Sequence, residues 1–190
     1  MADVFDVLAK DHIEVKRMLA ELEHGPTEVT GATDDQLLLR KKMAEQLVIE
    51  ESKHEALEEM YFWPAVREHV TGGDALADAA IAQEQEGKEV LNELDKADAS
   101  DAEFERLLAT FIRAGREHIQ FEEEMVWPRA REALTAELAT EIGTQIAEGK
   151  ETAPTRPHPR TPASPGVLKT AGPAAAVADK ARDAATGRGD

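Results

Sequence analysis

The chain contains no cysteine in its 190 residues, and this absence removes two classes of site. Disulfides cannot form, and no metal can be held by thiolate ligands. Any metal site must therefore use nitrogen and oxygen donors. Such donors favour iron, manganese, copper or zinc over iron–sulfur chemistry.

Long apolar runs are also lacking. No run approaches the ~20 residues that a membrane-spanning helix needs. The first residues, M-A-D-V-F-D-V-L, lack the basic region of a secretory signal peptide, so we expect none. The sequence therefore predicts a cytoplasmic protein.

Positive charge is scarce, and the formal net charge is −17. Phosphate binding needs a basic face, so nucleic acid is not an expected partner. Residues 151–190 hold six Lys and Arg against four Asp and Glu, so the excess of acid lies in the first 150 residues. An acidic excess of this kind is typical of a well-solvated helical surface.

The composition changes near residue 150. Helix-forming residues dominate before it, whereas the stretch T-A-P-T-R-P-H-P-R-T-P-A-S-P-G follows it. Prolines at this density break a helix. We therefore predict one helical domain over residues 1–150 and a disordered Pro/Ala-rich tail over residues 151–190.

Capping and turn residues divide the domain into four main helices and a short fifth one. The first helix is expected from Asp3 to Gly25-Pro26, and the second from a Thr33/Gln36 capping box to Gly72-Gly73. The third is expected from Asp74 to about Ala97, and the fourth from a Ser100/Glu103 capping box through Pro128 to about Leu134. The short fifth helix is indicated by Leu134, Leu138, Ile142 and Ile146. Short connections make neighbouring helices antiparallel. The sequence thus predicts an all-α, up-down-up-down four-helix bundle.

Two segments share a motif of His, Glu four residues later, and Trp-Pro at a fixed distance beyond. Residues 54–64 read H-E-A-L-E-E-M-Y-F-W-P, and residues 118–128 read H-I-Q-F-E-E-E-M-V-W-P. Residues i and i+4 lie on the same face of a helix, so each segment directs an imidazole and a carboxylate to one point. The Trp-Pro pairs are expected to be kinks or helix ends, with the two indoles packed at the end of the bundle.

These polar residues fall on the inner seams of the predicted helices. His12 interrupts the apolar seam of the first helix, and the two His/Glu pairs lie on the seams of the second and fourth. A charged carboxylate in a core costs several kcal/mol unless it is paired or bound to metal. A lone core histidine is usually satisfied by packing alone, but the joint pattern favours a metal site.

The third helix has no histidine, and an internal repeat indicates its donor instead. Residues 11–23 align without gaps on residues 83–95, which places His12 opposite Glu84. Glu84 also lies on the inner seam, whereas Gln85, the other candidate donor on this helix, lies ~100° further round the helix. Glu84 is the predicted donor.

The pattern resembles the hemerythrin-like family, specifically its bacterial HHE cation-binding domains. The matching residues are His12, His54 with Glu58, and His118 with Glu122, and the resemblance covers residues 1 to about 148. It implies a non-haem di-iron centre with an oxo or hydroxo bridge. It also implies that the histidines are terminal ligands and that Glu58 and Glu122 bridge the two irons.

The chain departs from the family pattern on the third helix. Glu84 stands where the family has a histidine, and Lys88 stands where its oxygen carriers have another. Additional anionic donors stabilise ferric iron, which disfavours reversible oxygen carriage. Tyr61 and Glu51 are expected beside the ligands, where they could make hydrogen bonds.

We therefore predict a di-iron protein that reacts with or senses O2, peroxide or nitric oxide, with any redox activity on peroxide or nitric oxide being weak. One alternative is a ferritin-like protein that oxidises or holds iron. That class carries Glu-x-x-His on two helices. Glu51 and His54 supply one copy, but Gly115 interrupts the other. A second alternative is a helical interaction module with a lost or structural metal site.

Overall fold

The computed structural model describes residues 2–163 and 165–188, and within these residues the chain forms helices and no strand. This confirms the predicted all-α class. The α-helices are α1 (Val4–His24), α2 (Asp34–Leu57), α3 (Trp63–His69), α4 (Gly73–Leu94), α5 (Ala102–Phe121), α6 (Trp127–Ala133), α7 (Ala136–Gly149) and α8 (Pro165–Thr186). In the described part of the chain, no helix combines the length and the apolar character that crossing a membrane requires.

Four walls form the bundle: α1, α2 with α3, α4, and α5 with α6. Helix α1 packs on α2 and α5, while α4 packs on α5, α2 and α3. The predicted short fifth helix is α7, which lies along α1. The two come close enough that a Cβ atom on Gly143 would lie 2.6 Å from the carbonyl carbon of Asp3. Glycine at this position therefore allows the two backbones to approach.

Two of the predicted helix starts are confirmed, and two need correction. Asp3 and Thr33 each form the predicted capping box. Helix α4 instead begins after Gly72, which has a φ of +74° and no side chain to cap with. Helix α5 begins after Asp101 and has no side-chain cap, because the Ser100 hydroxyl donates to Asp98 instead.

The Trp-Pro pairs lie within continuous helical segments rather than at helix ends. A π-helical turn precedes each of them, at Glu58–Phe62 and at Glu122–Val126, and the helix then continues as α3 or α6. Proline has no N–H, and its ring clashes with the carbonyl four residues earlier in an α-helix. A wider turn accommodates the ring, because its hydrogen bonds span five residues.

The C-terminal segment, predicted to be a disordered tail, contains helix α8. Helix α8 packs against the π-helical turn Glu58–Phe62, and Arg156 pairs with Asp95 at the end of α4 and with Asp183 of α8. Alanine is the strongest helix former, so an Ala-rich segment with little apolar surface can still be helical. Ion pairs to the bundle can hold such a helix in place.

Candidate metal centre

A layer of polar side chains crosses the bundle between two apolar clusters. One cluster surrounds Phe62 and Trp63, and the other surrounds Leu19 and Phe104. All six predicted ligands lie in this layer, and none is more than 7% exposed: His12, His54, Glu58, Glu84, His118 and Glu122. The four walls therefore bring together residues that are more than 100 positions apart in sequence.

The six side chains form two groups whose donor atoms lie within 4.8 Å of one another. The first group is His12, His54 and Glu122, and the second is Glu58, Glu84, His118 and Glu122. Glu122 belongs to both. This arrangement offers two adjacent positions that could each hold a metal ion.

The carboxylate of Glu122 faces both groups. Its Oε2 atom lies 3.0 Å from His12 Nε2, and its Oε1 atom lies 3.5 Å from His118 Nε2. Glu58 also connects the groups, because its Oε2 atom lies 3.3 Å from Nε2 of His54. Both motif carboxylates therefore lie between the two candidate positions.

The donor atoms of this layer have no hydrogen-bond partners among the described residues, although they are buried. They are Nε2 of all three histidines, both oxygens of Glu58 and of Glu122, and Oε2 of Glu84. A buried polar atom without a partner costs roughly 1–3 kcal/mol, so a cluster of them is unusual in a native structure. The atoms are nitrogen and oxygen donors that converge, and they fit a transition-metal ion.

The opposite ring nitrogen of each histidine does have a partner. In each case Nδ1 faces an oxygen atom from another helix: His12 faces Glu123 at 3.0 Å, His54 faces Asp11 at 3.5 Å, and His118 faces Gln83 at 3.0 Å. An oxygen partner at Nδ1 fixes the ring orientation and leaves Nε2 free to bind a metal. Each ring is thus oriented with its Nε2 atom toward the candidate metal positions.

Sequence reasoning missed these three oxygen partners. Asp11 precedes His12, Gln83 precedes Glu84, and Glu123 follows Glu122, so each is the chain neighbour of a predicted ligand. An acidic or amide residue beside a ligand is the signal that could have indicated them. Which histidine each one contacts depends on how the helices pack.

The two tryptophans contact the candidate ligands, which the prediction of packing at the bundle end did not include. The indole N–H of Trp63 donates to Oε1 of Glu84 at 2.6 Å. The ring of Trp127 stacks on His12, with centroids 4.8 Å apart and planes at 14°. Among the described residues, the indole N–H of Trp127 has no acceptor.

Three other residues named from the sequence lie outside both groups. Gln85 is half-buried and donates to the backbone oxygen of Pro159. Tyr61 is half-buried, with its ring 5.0 Å from the ammonium of Lys169 in α8. Glu51 is buried one helical turn before His54.

Burial and mutual repulsion set the charges of the layer in the absence of metal. Burial raises the pKa of Glu58 well above its usual value, and the nearby charge of Glu122 raises it further. Burial also raises the pKa of Glu84 strongly, although Lys88 opposes this. Burial acts on Glu122 too, but His118, His12 and His54 outweigh it and lower its pKa. Without metal, these shifts favour the protonated forms of Glu58 and Glu84 and the ionised form of Glu122.

We expect the metal-free protein to become more stable as pH falls from 7 toward 5. Burial raises the pKa of Glu51 to about 7, whereas an unfolded glutamate titrates near 4.5. The folded state therefore binds the extra proton between these values, and stability falls as pH rises. Glu51 alone contributes about 2 kcal/mol between pH 5 and 7, and Glu55, Glu58 and Glu84 act in the same direction.

Urea unfolding of the metal-free protein at pH 5, 6 and 7 measures this trend. Burial lowers the pKa of His118, so this residue opposes the trend below about pH 6.5. The four glutamates together outweigh this single histidine. A free energy of unfolding that stays level or rises from pH 5 to 7 would contradict the expectation.

The comparisons with known proteins agree with this geometry. A family model described as the hemerythrin HHE cation binding domain matches residues 3–130. The chain is also similar to the crystal structure of a hemerythrin HHE cation binding domain-containing protein from Mycobacterium kansasii, with 21% identity and a TM-score of 0.65 over 80% of this chain and 86% of that one. At this identity the likeness concerns the fold. No curated protein matches the chain.

Proposed function

The chain belongs to the family of hemerythrin HHE cation-binding domains, and on that premise we propose that its polar layer holds two iron ions that react with or sense O2, peroxide or nitric oxide. His12, His54 and His118 are the proposed terminal ligands. Glu58 and Glu122 are the proposed bridges. Glu84 completes the set from the third wall.

The position of Glu122 is the observation that carries this proposal. Its two oxygens face different donor groups, and both lack hydrogen-bond partners in the described part of the chain. A carboxylate in that position suits a pair of metal ions better than a single one. A single structural zinc would use one closed tetrahedral set of four ligands.

Iron fits the donor set by its charge and its chemistry. Three carboxylates and an oxo bridge nearly neutralise two ferric ions, which favours such a pair in a buried site. When bound, the irons would supply one-electron redox chemistry and an open coordination position for a small reactant. Glu84 in place of a histidine adds negative charge, so oxygen carriage is the least favoured use.

The residues around the layer position the proposed ligands and limit the access of water. Asp11, Gln83 and Glu123 orient the imidazoles, and the apolar clusters on either side keep bulk water away. Removing water strengthens electrostatic interactions within the site. We further propose a cytoplasmic setting with a small reactant as the partner.

Elemental analysis and optical spectroscopy of the purified protein test the proposed function. We expect about two iron ions per chain, with oxo-to-ferric absorption that changes on adding azide or peroxide. One zinc ion per chain, or no metal, would rule the proposal out. The ferritin-like alternative has lost support, because Glu51 lies outside both donor groups.

A further inference from the structure

A cavity of about 50 Å³ lies between the C-terminal segment and the bundle. Ser52, Glu59 and Lys88 of the bundle line one side. Residues of the C-terminal segment line the other, among them Pro154, His158, Leu168 and Ala175. This second wall lies beyond residue 130, where the family match ends, so it is a feature of this chain rather than of the family motif.

The bundle side of the cavity is polar and incompletely satisfied. Ser52 is 4% exposed, and its hydroxyl has no partner among the described residues. Beside it, the ammonium of Lys88 and the carboxylate of Glu59 form a buried ion pair. The wall thus offers an unused hydroxyl together with charges that already neutralise each other. A buried hydroxyl of this kind can bind a small polar molecule.

The cavity adjoins the proposed metal centre. Glu59 follows the proposed ligand Glu58, and Lys88 lies one helical turn beyond Glu84. Burial lowers the pKa of Lys88, but Glu55, Glu59 and Glu84 outweigh this and raise it. The ion pair of the cavity wall is therefore within electrostatic reach of the carboxylates of the centre.

Ion pairs hold the C-terminal segment over the cavity. The guanidinium of Arg156 lies 2.9 Å from Asp95, just after the end of α4, and 2.7 Å from Asp183 of α8. His158, which lines the cavity, lies 2.9 Å from Asp179 of α8. These contacts connect the segment to the bundle and to its own helix, so the outer wall has a defined position.

The size and polarity of the cavity select its occupant. A water molecule needs roughly 10–15 Å³ of such space, so the cavity has room for only a few atoms. Its charged groups are already paired, which disfavours an ion. A hydroxyl that can both donate and accept suits a neutral molecule that does the same. Resting on the proposed function, we propose that this cavity binds hydrogen peroxide beside the metal centre and supplies it as the reactant.

A matched pair of substitutions on α8 tests the proposal. Ala175 lines the cavity, whereas its neighbour Ala174 is exposed. Ala175→Leu fills the space, and Ala174→Leu makes the same chemical change on the same helix without filling it. Metal-free crystals soaked in hydrogen peroxide are expected to show the molecule against the Ser52 hydroxyl in the parent and in Ala174→Leu, and not in Ala175→Leu. A cavity that is empty or holds only water in the soaked parent would overturn the proposal.

The iron-loaded protein supplies a kinetic readout. We expect Ala175→Leu to react with hydrogen peroxide on the order of tenfold more slowly at unchanged iron content, and Ala174→Leu to keep the parent rate. Equal rates in the two variants would overturn the proposed supply role. If Ala175→Leu fails to fold, Ser52→Ala replaces it, with the same expected loss of bound peroxide and of rate. If the parent takes up no iron, the proposed function fails, while the metal-free soak still decides whether the cavity binds peroxide.

Discussion

Glu122→Gln is expected to remove both iron ions from the chain. The substitution keeps the size of the side chain but removes the charge and one of the two oxygens that face the donor groups. Glu84→Gln should behave differently, because Glu84 belongs to one group only, and we expect it to retain about one iron per chain. Elemental analysis of the two purified variants beside the parent measures the difference.

Glu124→Gln is the matched control for this experiment. Glu124 is exposed in the same π-helical turn, so its neutralisation should leave the iron content of the parent unchanged. Circular dichroism establishes that each variant is folded. A folded Glu122→Gln protein that still holds one or two irons would show that Glu122 is not a bridge.

Trp63→Phe is expected to weaken metal binding by about 10- to 100-fold, the usual effect of removing a residue that positions a ligand. The indole N–H of Trp63 donates to Oε1 of Glu84 at 2.6 Å, and it directs the other oxygen, which lacks a partner, toward the centre. Phenylalanine fills much of the same volume but cannot donate. Glu84 would then lose the contact that fixes its orientation.

Trp127→Phe separates the hydrogen bond from the change in volume. Its indole N–H has no acceptor among the described residues, and a phenyl ring can still stack on His12. Titration of each metal-free variant with ferrous iron under anaerobic conditions gives the affinities. If both variants weaken binding equally, the hydrogen bond to Glu84 is not the cause.

The sequence predicts the ligand layer well because helix geometry and seam position are local properties. The i,i+4 spacing places Glu58 beside His54 and Glu122 beside His118, and the apolar seams turn both pairs inward. The internal repeat then indicates Glu84 without any histidine to mark it. The structure brings these residues and His12 into one layer, while their roles as ligands remain a proposal for the metal experiments.

Other features depend on contacts that no local pattern contains. The oxygen partners of the imidazoles come from other helices, so their identity follows from the rotation of each helix in the packed bundle. Met125 lies on the seam if an α-helix is assumed throughout, yet it is 45% exposed because a π-helical turn begins at Glu122. The position of helix α8 depends on ion pairs between residues far apart along the chain. Arg156 pairs with Asp183, 27 positions away, and with Asp95, 61 positions away.

Each π-helical turn also changes the direction in which the side chains after it point from the helix axis. A turn closed by i→i+5 hydrogen bonds holds one residue more than an α-helical turn, which rotates the downstream side chains by about 100° relative to a continuous α-helix. Trp63, nine positions after His54, would otherwise point to roughly the opposite face of the helix. The extra residue turns its indole toward α4 and Glu84. The five-residue step from Glu58 to Trp63 therefore matches one π-helical turn, and the same five residues in an α-helix would turn the indole away from the face that carries the His–Glu pair.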